Sequence, residues 1–277
     1  MSYADLIQRA KQQLYDSSET PRIDAEVLLQ HVLNKPLAWL LTHGDQIAEP
    51  EHLVDFNALI ARRQTGEPIA YLTGVREFWS LELAVSPAVL IPRPDTEVLV
   101  EQALVLLPAD RAIKVLDLGT GSGAIALALA KERPLATVTA VDSSMAALDI
   151  ARLNATTAQL KNIEFIKSDW FSALEGQRFN LIAANPPYVA EGDPHLGRGD
   201  LRFEPDLALA SGADGLQALR HIIEQAPNHL EDNGALLVEH GYDQEDAVAR
   251  LMDQQGLSRK RCFRDLNDLP RCSLALI

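Results

Sequence analysis

The chain has 277 residues, 47% of them hydrophobic, with 39 acidic and 25 basic side chains and a formal net charge of −14. This length suffices for one large and one small domain, and the acidity disfavours broad binding to nucleic-acid phosphates, which needs clustered Lys and Arg. The sequence has no run of eighteen apolar residues and no basic-then-apolar N-terminus, so we expect neither a membrane span nor a signal peptide, and a cytoplasmic location.

The first predicted domain, residues 1–66, is helical. Apolar residues such as Leu6, Ala10 and Leu14 recur at the three- and four-residue spacing of a helix that packs one face on a core. Helices are predicted over residues 3–14, 23–33, 37–41 and 52–63. We interpret this domain as one that recognises the substrate, with a purely structural cap as the alternative.

Residues 67–90 are interpreted as a connector. Segments 71–74 and 78–83 carry residues that favour strands, so a β-hairpin is expected there. A helix is then predicted to begin at Asp95 and Glu97, because acidic residues directly after a proline are typical of a first helical turn. Capping explains both acids, although their place just ahead of the main sheet also leaves room for a role in a pocket.

The second predicted domain, residues 91–277, alternates strands with helices. Strands are predicted over residues 113–118, 137–141, 163–166, 181–184 and 235–239, and helices over 124–131, 145–156, 216–230 and 243–254. The tail is expected to add a last strand or hairpin. This alternation predicts an α/β fold with a mostly parallel, doubly wound sheet.

A glycine-rich loop joins the first of these strands to its helix. Its residues are Asp117, Leu118, Gly119, Thr120, Gly121, Ser122 and Gly123. Glycines there permit tight turning and close approach of a ligand to the backbone. The spacing also satisfies the dinucleotide-binding pattern, so it does not decide which cofactor is bound.

Acidic residues end the next two strands. Asp142, about twenty residues after the loop, is placed to accept hydrogen bonds from ribose hydroxyls, which both NAD and S-adenosylmethionine carry. Asp169 is placed to accept from an adenine amino group, and Trp170 to pack on the adenine ring. A strand-end cap is the alternative for each acid.

The tetrapeptide Asn185-Pro186-Pro187-Tyr188 follows the apolar strand 179–184. Two prolines make the turn stiff and supply carbonyls without N–H groups. If the Asn185 side-chain oxygen and the Pro186 carbonyl each accept one N–H of a planar –NH2 group, the nitrogen lone pair can face an electrophile. Tyr188 is expected to cover the planar group. A Pro-Pro turn that merely ends a strand is the alternative.

Together these motifs resemble the class I (Rossmann-like) S-adenosylmethionine-dependent methyltransferases that methylate planar nitrogens. Residues 66–74, 78–79, 91–97 and 202–205 look more closely like the PrmC/HemK family of protein-(glutamine-N5) methyltransferases specific for peptide chain release factors. The chain departs from that family over residues 265–271, which lack an expected glycine.

The resemblance implies methylation of the glutamine in the Gly-Gly-Gln loop of release factors, with S-adenosylmethionine as cofactor. The cofactor would be held by Asp117, Gly119, Thr120, Gly121, Ser122, Gly123, Asp142, Asp169, Trp170 and Asn185, and the glutamine amide by Asn185, Pro186, Pro187 and Tyr188. The protein partner is expected to be the release factor, with no nucleic acid as substrate, no membrane, and the enzyme acting as a monomer.

Other functions remain open on these residues. Adenine-N6 methyltransferases share the tetrapeptide, but they must extract a base and bind a phosphate backbone, which the acidity disfavours. A ribosomal-protein glutamine is another possible substrate. A nicotinamide dehydrogenase or a non-catalytic nucleotide-binding module fits the glycines and leaves the tetrapeptide unexplained. Four further polar residues could support the site, or cap loops and strand ends: Glu204, Asp214, Glu239 and His240.

The two cysteines, Cys262 and Cys272, lie near the C-terminus without the spacing typical of metal ligands. We therefore expect ordinary buried thiols and no metal site.

Overall fold

The computed structural model describes residues 1–277, with the exception of the side chain of residue 259. The chain divides into two compact units, one formed by residues 1–75 and 197–203, the other by residues 76–196 and 204–277. The predicted boundaries at residues 66 and 90 stay a prediction. No helix within the described residues is long and apolar enough to cross a lipid bilayer.

The first unit is helical, as the sequence predicts. Its helices are α1 (Tyr3–Gln13), α2 (Pro21–Leu33), α3 (Leu37–His43), α4 (Pro50–Gln64) and α5 (Ile69–Thr73). The periodic apolar residues form its core, in which Leu6, Leu28 and Phe56 are almost fully buried. This core stabilises helices that would be marginal in isolation.

A buried ion pair joins α2 to α4. Arg63 Nε donates to Asp24 Oδ2 at 2.7 Å, and both side chains are about nine-tenths buried. The Ser18 and Thr20 hydroxyls donate to the same carboxylate at 2.7 and 3.1 Å. The buried charge is therefore both paired and hydrogen-bonded, as burial in a protein requires.

Residues 197–203 of the first unit are fixed to the end of α4. Arg202 Nη2 donates to the carbonyl of Thr65 at 2.8 Å, and Arg63 Nη1 lies 3.5 Å from Asp200 Oδ1. Gly66 has φ +92°, and a Cβ there would lie 1.9 Å from Arg202 Nη2. A glycine at this position therefore admits both the backbone conformation and the guanidinium.

A hairpin follows, formed by β1 (Val75–Phe78) and β2 (Leu81–Ala84). Trp79 and Ser80 form its turn with φ of 51° and 54°, the left-handed conformations of a tight hairpin turn. The prediction that residues 71–74 form part of the hairpin is wrong. Residues 71–73 belong to α5 and Gly74 is its C-cap, because Pro68 begins a helical turn there and Gly74, in the left-handed conformation, ends it.

The second unit contains the predicted α/β layers. Its further elements are α6 (Glu97–Leu106), β3 (Ile113–Leu118), α7 (Ala124–Glu132), β4 (Ala136–Asp142), α8 (Met145–Thr157), β5 (Ile163–Lys167), β6 (Phe179–Ala184), α9 (Asp206–Leu209), α10 (Gln217–His229), β7 (Leu230–Glu239), α11 (Glu245–Gln254), β8 (Ser258–Arg264) and β9 (Pro270–Leu276). Among the described residues, seven strands form one sheet in the order β5-β4-β3-β6-β7-β9-β8, and only the pairs made by β9 are antiparallel.

The sheet is covered on both faces, since successive residues of a strand point to opposite sides. Val115 of β3 belongs to one apolar cluster, with α6 and α7, whereas Leu116 and Leu118 belong to the other, with α10 and α11. β4 and β5 lie on one side of β3 and β6 and β7 lie on the other, so the strand order reverses direction between β3 and β6. Open α/β sheets bind ligands beyond the carboxyl ends of the strands at such a point.

The C-terminal hairpin of β8 and β9 confirms the predicted tail. In the turn without the expected glycine, Asp268 itself adopts φ 61°, and Asp265 Oδ1 accepts from the backbone N–H groups of Asn267 and Leu269 at 2.9 and 3.1 Å. An aspartate thus takes the left-handed position, which this residue type tolerates better than most. The departure from the family pattern leaves the strand pairing intact.

The cysteines on these strands differ in burial. Cys272 is fully buried, as expected, but Cys262 is only half-buried, so the expectation of two buried thiols is wrong for Cys262. Burial raises the pKa of both thiols, which disfavours reactive thiolates.

Candidate active site

Strand register aligns the carboxyl ends of four neighbouring strands. Leu118 of β3 pairs with Val141 on one side and Ala184 on the other, and Ala184 in turn pairs with Val238. The residues that follow therefore lie in one row at this edge of the sheet: Gly119, Asp142, Asn185 and Glu239. Sequence positions up to 120 residues apart are brought together by register.

A cavity of about 350 Å³ opens at this edge, within the size range of small-ligand sites. Predicted site residues form much of its lining: Gly119, Thr120, Gly121, Ser122, Asp142, Asp169, Trp170, Asn185 and Pro187. The glycine loop and the tetrapeptide thus border one cavity.

Four other predicted residues are not among the lining residues in the described part of the chain: Asp117, Gly123, Pro186 and Tyr188. Their predicted binding roles stay predictions. Gly123 has φ +87°, and a Cβ there would lie 2.8 Å from Leu127 Cδ1, so this glycine permits close packing at the start of α7.

Asp117 lies beneath the glycine loop and is fully buried. Its Oδ2 accepts a hydrogen bond from Thr120 Oγ1 at 2.6 Å, which ties the loop to β3. Burial raises the pKa of Asp117 to about 7, and the Thr120 hydroxyl opposes that rise. Its Oδ1 has no hydrogen-bond partner among the described side chains. The carboxyl group therefore holds the loop at a cost in desolvation.

Asp142 connects the loop to the end of β4. Its Oδ2 accepts from Gly121 N at 2.9 Å and its Oδ1 from Ser144 N at 2.8 Å. Each carboxylate oxygen has a second lone pair, so both can still accept from a ligand. Gly121 has φ +55°, and a Cβ built on it meets nothing within 4 Å. The open space beside Gly121 and the remaining lone pairs of the Asp142 carboxylate suit the ribose hydroxyls of an adenosyl cofactor.

Trp170 forms a wall of the cavity just beyond β5. Its backbone has φ 48°, and Ser168 Oγ donates to the Trp170 carbonyl at 2.7 Å. A Cβ on Gly119 would lie 3.5 Å from the indole Cζ3, so the ring stands beside the glycine loop. Asp169 also lines the cavity. An aromatic wall with an adjacent carboxylate fits a planar purine that carries an amino group.

The tetrapeptide is anchored at both of its ends. Asn185 Nδ2 donates to Thr96 Oγ1 at 3.1 Å, and Tyr188 Oη donates to Glu239 Oε1 at 3.2 Å. The Tyr188 carbonyl accepts from Gln244 Nε2 at 3.0 Å. Burial, with the nearby Glu239 carboxyl, raises the pKa of Tyr188, so the phenol stays protonated. Tyr188 thus packs behind the turn, and the expected cover over a planar substrate group stays a prediction.

Glu239 is 1% exposed and ends β7 beside the tetrapeptide. Burial raises its pKa to about 7, whereas Thr96, Arg271 and Tyr188 favour the charged form. Glu239 therefore supports the tetrapeptide, because its carboxyl group accepts the hydrogen bond from Tyr188 Oη.

The sequence did not predict an ion pair between Arg93 and Glu204 at the cavity. Arg93, which lines the cavity, pairs with the buried Glu204, and Glu204 Oε2 also accepts from Ile91 N at 3.0 Å. Glu204 therefore holds the segment that precedes α6. The motif around residues 91–97 was visible in the sequence, but nothing in it indicated a partner more than a hundred residues away.

Two of the other open residues have structural roles. Asp214 pairs with Arg220 and accepts from Leu216 N at 3.1 Å, which caps a loop. His240 is fully buried and hydrogen-bonds Ser273 Oγ and the Gly241 carbonyl, both at 2.8 Å.

The fold is that of a class I methyltransferase. A sequence model of the methyltransferase small domain matches residues 95–197, and one of the PrmC N-terminal domain matches residues 5–74. A 16S rRNA methyltransferase of T. thermophilus, solved in complex with AdoMet and guanosine, superposes with a TM-score of 0.54 at 21% identity, over 73% of this chain and 49% of that chain.

Closer relatives narrow the class. The release factor glutamine methyltransferase of Escherichia coli K12 is 50% identical over 274 residues, which is 99% of this chain and 98% of that protein. The enzyme of the same name from Pseudomonas aeruginosa is 51% identical over 257 residues, 93% of each chain. The chain belongs to the release factor glutamine methyltransferase family, and the resemblance to the PrmC/HemK family is confirmed.

Proposed function

We propose that the protein transfers a methyl group from S-adenosylmethionine to the side-chain amide nitrogen (N5) of the glutamine in the Gly-Gly-Gln loop of peptide chain release factors. The observation that carries this proposal is that Asn185, with its fixed amide, borders the same cavity as the glycine loop and Asp142. The names of relatives about 50% identical over nearly the whole chain support the substrate class.

When bound, S-adenosylmethionine supplies an electrophilic methyl group on its sulfonium. In this chain, Asp142 would accept from the ribose hydroxyls, Trp170 and Asp169 would hold the adenine, and the loop around Gly121 would lie against the remainder. The acidic Asp117 supports that loop through Thr120 without lining the cavity.

The substrate amide would be held by acceptors. Asn185 Oδ1 and the Pro186 carbonyl each accept one N–H, which turns the nitrogen lone pair toward the methyl group. The same oxygen dipoles face the positive charge that develops on the nitrogen. Transfer would form the N–C bond as the bond from the methyl carbon to sulfur breaks, with its electron pair left on a neutral thioether. The N-alkylated amide cation would be strongly acidic and would give its proton to water, so no side chain need act as a strong base first.

The test is mass spectrometry of a release factor incubated with this protein and S-adenosylmethionine, beside the same factor with Gln→Ala in its Gly-Gly-Gln loop. We expect a gain of one methyl group on the native glutamine alone. Asn185→Ala should abolish most of the transfer while cofactor affinity changes little. Asn180→Ala, at the other end of β6, is the matched control and should remain active, since Asn180 Oδ1 accepts from Lys114 N at 2.8 Å, away from the cavity.

Unmethylated release factor, with methyl groups found instead on a ribosomal protein or on nucleic acid, would refute the substrate and leave the cofactor assignment standing. Equal activity of Asn185→Ala would refute the role of the tetrapeptide.

We also propose that the enzyme acts as a cytoplasmic monomer. Light scattering of the purified chain at micromolar concentration would test the monomer, with a mass near 30.4 kDa expected.

A further inference from the structure

The orientation of the Asn185 amide is set by a residue outside the tetrapeptide. Nδ2 donates to Thr96 Oγ1 at 3.1 Å, and both side chains line the cavity. The oxygen and nitrogen of an amide lie on opposite sides of one planar group. A bond that holds Nδ2 on Thr96 therefore turns Oδ1 away from Thr96.

This orientation matters because the two faces of the amide have opposite hydrogen-bonding character. The substrate nitrogen carries N–H donors, so it is bound by Oδ1 and repelled by Nδ2. An asparagine that rotates by a half-turn about its last torsion would present a donor to a donor. The terminal torsion of asparagine is broad, and only neighbouring contacts select one orientation.

Thr96 is a buried acceptor for the Asn185 amide. Thr96 is 4% exposed, at the end of the 3₁₀ turn Pro94–Thr96 that precedes α6. Its hydroxyl lies near enough to Glu239 to favour the ionised carboxyl. Thr96 Oγ1 accepts the Asn185 Nδ2 hydrogen bond through one of the two lone pairs that a hydroxyl oxygen carries.

The same carboxyl group holds the other end of the tetrapeptide through Tyr188 Oη, at 3.2 Å. β6 and β7 are parallel and Ala184 pairs with Val238, which places Glu239 beside Asn185 in the row of strand ends. Glu239 thus anchors Tyr188, whereas Thr96 anchors Asn185.

We propose that Thr96 is a positioning residue for methyl transfer, which holds the Asn185 amide with Oδ1 toward the substrate nitrogen. The proposal rests on the proposed function, in that it takes Asn185 as the acceptor of the substrate N–H. Thr96 itself does not contact the reacting atoms in this assignment, and its effect passes entirely through Asn185.

The test begins with Thr96→Val, which keeps the shape of the side chain and removes the acceptor. Methyl-transfer rate at saturating S-adenosylmethionine and release factor should fall about tenfold, the factor that corresponds to one hydrogen bond. The Kd for S-adenosylmethionine should stay within about twofold. Thr96→Ser keeps a hydroxyl and should recover most of the rate.

Thr139→Val is the matched control. Thr139 is 3% exposed in β4, and its hydroxyl donates to Glu164 Oε1 at 2.7 Å, so Thr139→Val also removes a buried hydroxyl and a side-chain hydrogen bond, but away from the cavity. This variant should lose stability without the tenfold fall in saturated rate.

A double-mutant cycle separates positioning from general damage. On the Asn185→Ala background, Thr96→Val should have no further effect on the rate. The proposal is overturned if Thr96→Val lowers the rate by the same factor on both backgrounds, if it leaves the wild-type rate unchanged, or if Thr139→Val lowers the saturated rate as much.

A measurement without turnover distinguishes failure of this proposal from failure of the proposed function. In protein labelled with ¹⁵N-asparagine, the Asn185 side-chain amide signals are those missing from Asn185→Ala. We expect them to shift and to exchange faster with solvent in Thr96→Val, but not in Thr139→Val. Unchanged signals overturn the positioning role even if release factor is methylated. Changed signals with no methylation of release factor leave the positioning intact and refute the substrate.

Discussion

Replacing Asp142 by alanine should weaken cofactor binding about a hundredfold. Each oxygen of this carboxylate already accepts one backbone N–H, Oδ2 from Gly121 at 2.9 Å and Oδ1 from Ser144 at 2.8 Å. One lone pair on each oxygen is left for a ribose hydroxyl. At about 1.5 kcal/mol for each hydrogen bond to a charged group, two lost bonds amount to about 3 kcal/mol, or roughly a hundredfold in Kd.

Isothermal titration of the full chain with S-adenosylmethionine would measure this change. Asp142→Asn keeps one acceptor and a similar shape, so its Kd should rise only about tenfold, as expected for one lost bond. A cofactor analogue that lacks both ribose hydroxyls separates the two effects of the carboxylate. It should bind weakly to the wild type and lose little more affinity in Asp142→Ala.

Two results would refute this reasoning. A change in Kd below about fivefold for Asp142→Ala would mean that the carboxylate does not bind the ribose. An equally large further loss for the analogue would mean that Asp142 acts only by holding the loop at Gly121.

Further predictions concern stability, measured by urea unfolding. The pKa of Asp117 is raised from 3.8 to about 7 in the folded state, so between these pH values the native state keeps a proton that the unfolded state has lost. The free energy of unfolding should therefore fall as the pH rises from about 4 to about 7, by at most about 4 kcal/mol. Asp117→Asn should therefore gain stability relative to the wild type between pH 5 and pH 8; parallel pH profiles would contradict this. Gly66→Ala should lower the free energy of unfolding by about 2–3 kcal/mol, because it strains the backbone and displaces Arg202. Gly176 has φ +73°, and a Cβ there would meet nothing within 4 Å, so Gly176→Ala should lower it by the strain alone, about 1 kcal/mol. Equal losses would argue against the Arg202 contact. Arg63→Met leaves the buried Asp24 carboxylate on α2 without its cation and should lower the free energy of unfolding by about 3–5 kcal/mol. A decrease below about 1 kcal/mol would show that the ion pair is dispensable.

The sequence predicted those parts of the site that depend on single strand ends. Gly119, Asp142 and Asn185 each follow an apolar strand, and parallel strands present their carboxyl ends at one edge, so pattern and fold class together place them side by side. The fold class was predictable for the same reason, because alternating strands and helices admit few topologies.

Contacts between distant segments were not predictable in this way. Thr96 and Asn185 are 89 residues apart, and the pair of Arg93 with Glu204 spans 111. No local pattern records which turn packs against which strand end. The hydrogen bond from Tyr188 to Glu239, 51 residues away, was likewise not predictable from the sequence.

Local chemistry misled in smaller ways. Residues 71–74 have side chains that favour strands, but Pro68 and Gly74 delimit a helical turn there. Residues 265–271 lack the glycine expected from the family pattern; Asp268 adopts the left-handed conformation there, and hydrogen bonds to Asp265 stabilise the turn.

The alignment of strand ends also decides where this chain can accept added sequence. One residue inserted within Phe179–Ala184 would turn every later side chain of that strand to the opposite face and displace Asn185 by about 3.3 Å along the strand. The exposed residues 109–112 and 175–178 enter β3 and β6 from the opposite edge of the sheet. Tags, labels or inserted peptides are therefore best placed in those two connections, where the loop can lengthen while the strand ends keep their row.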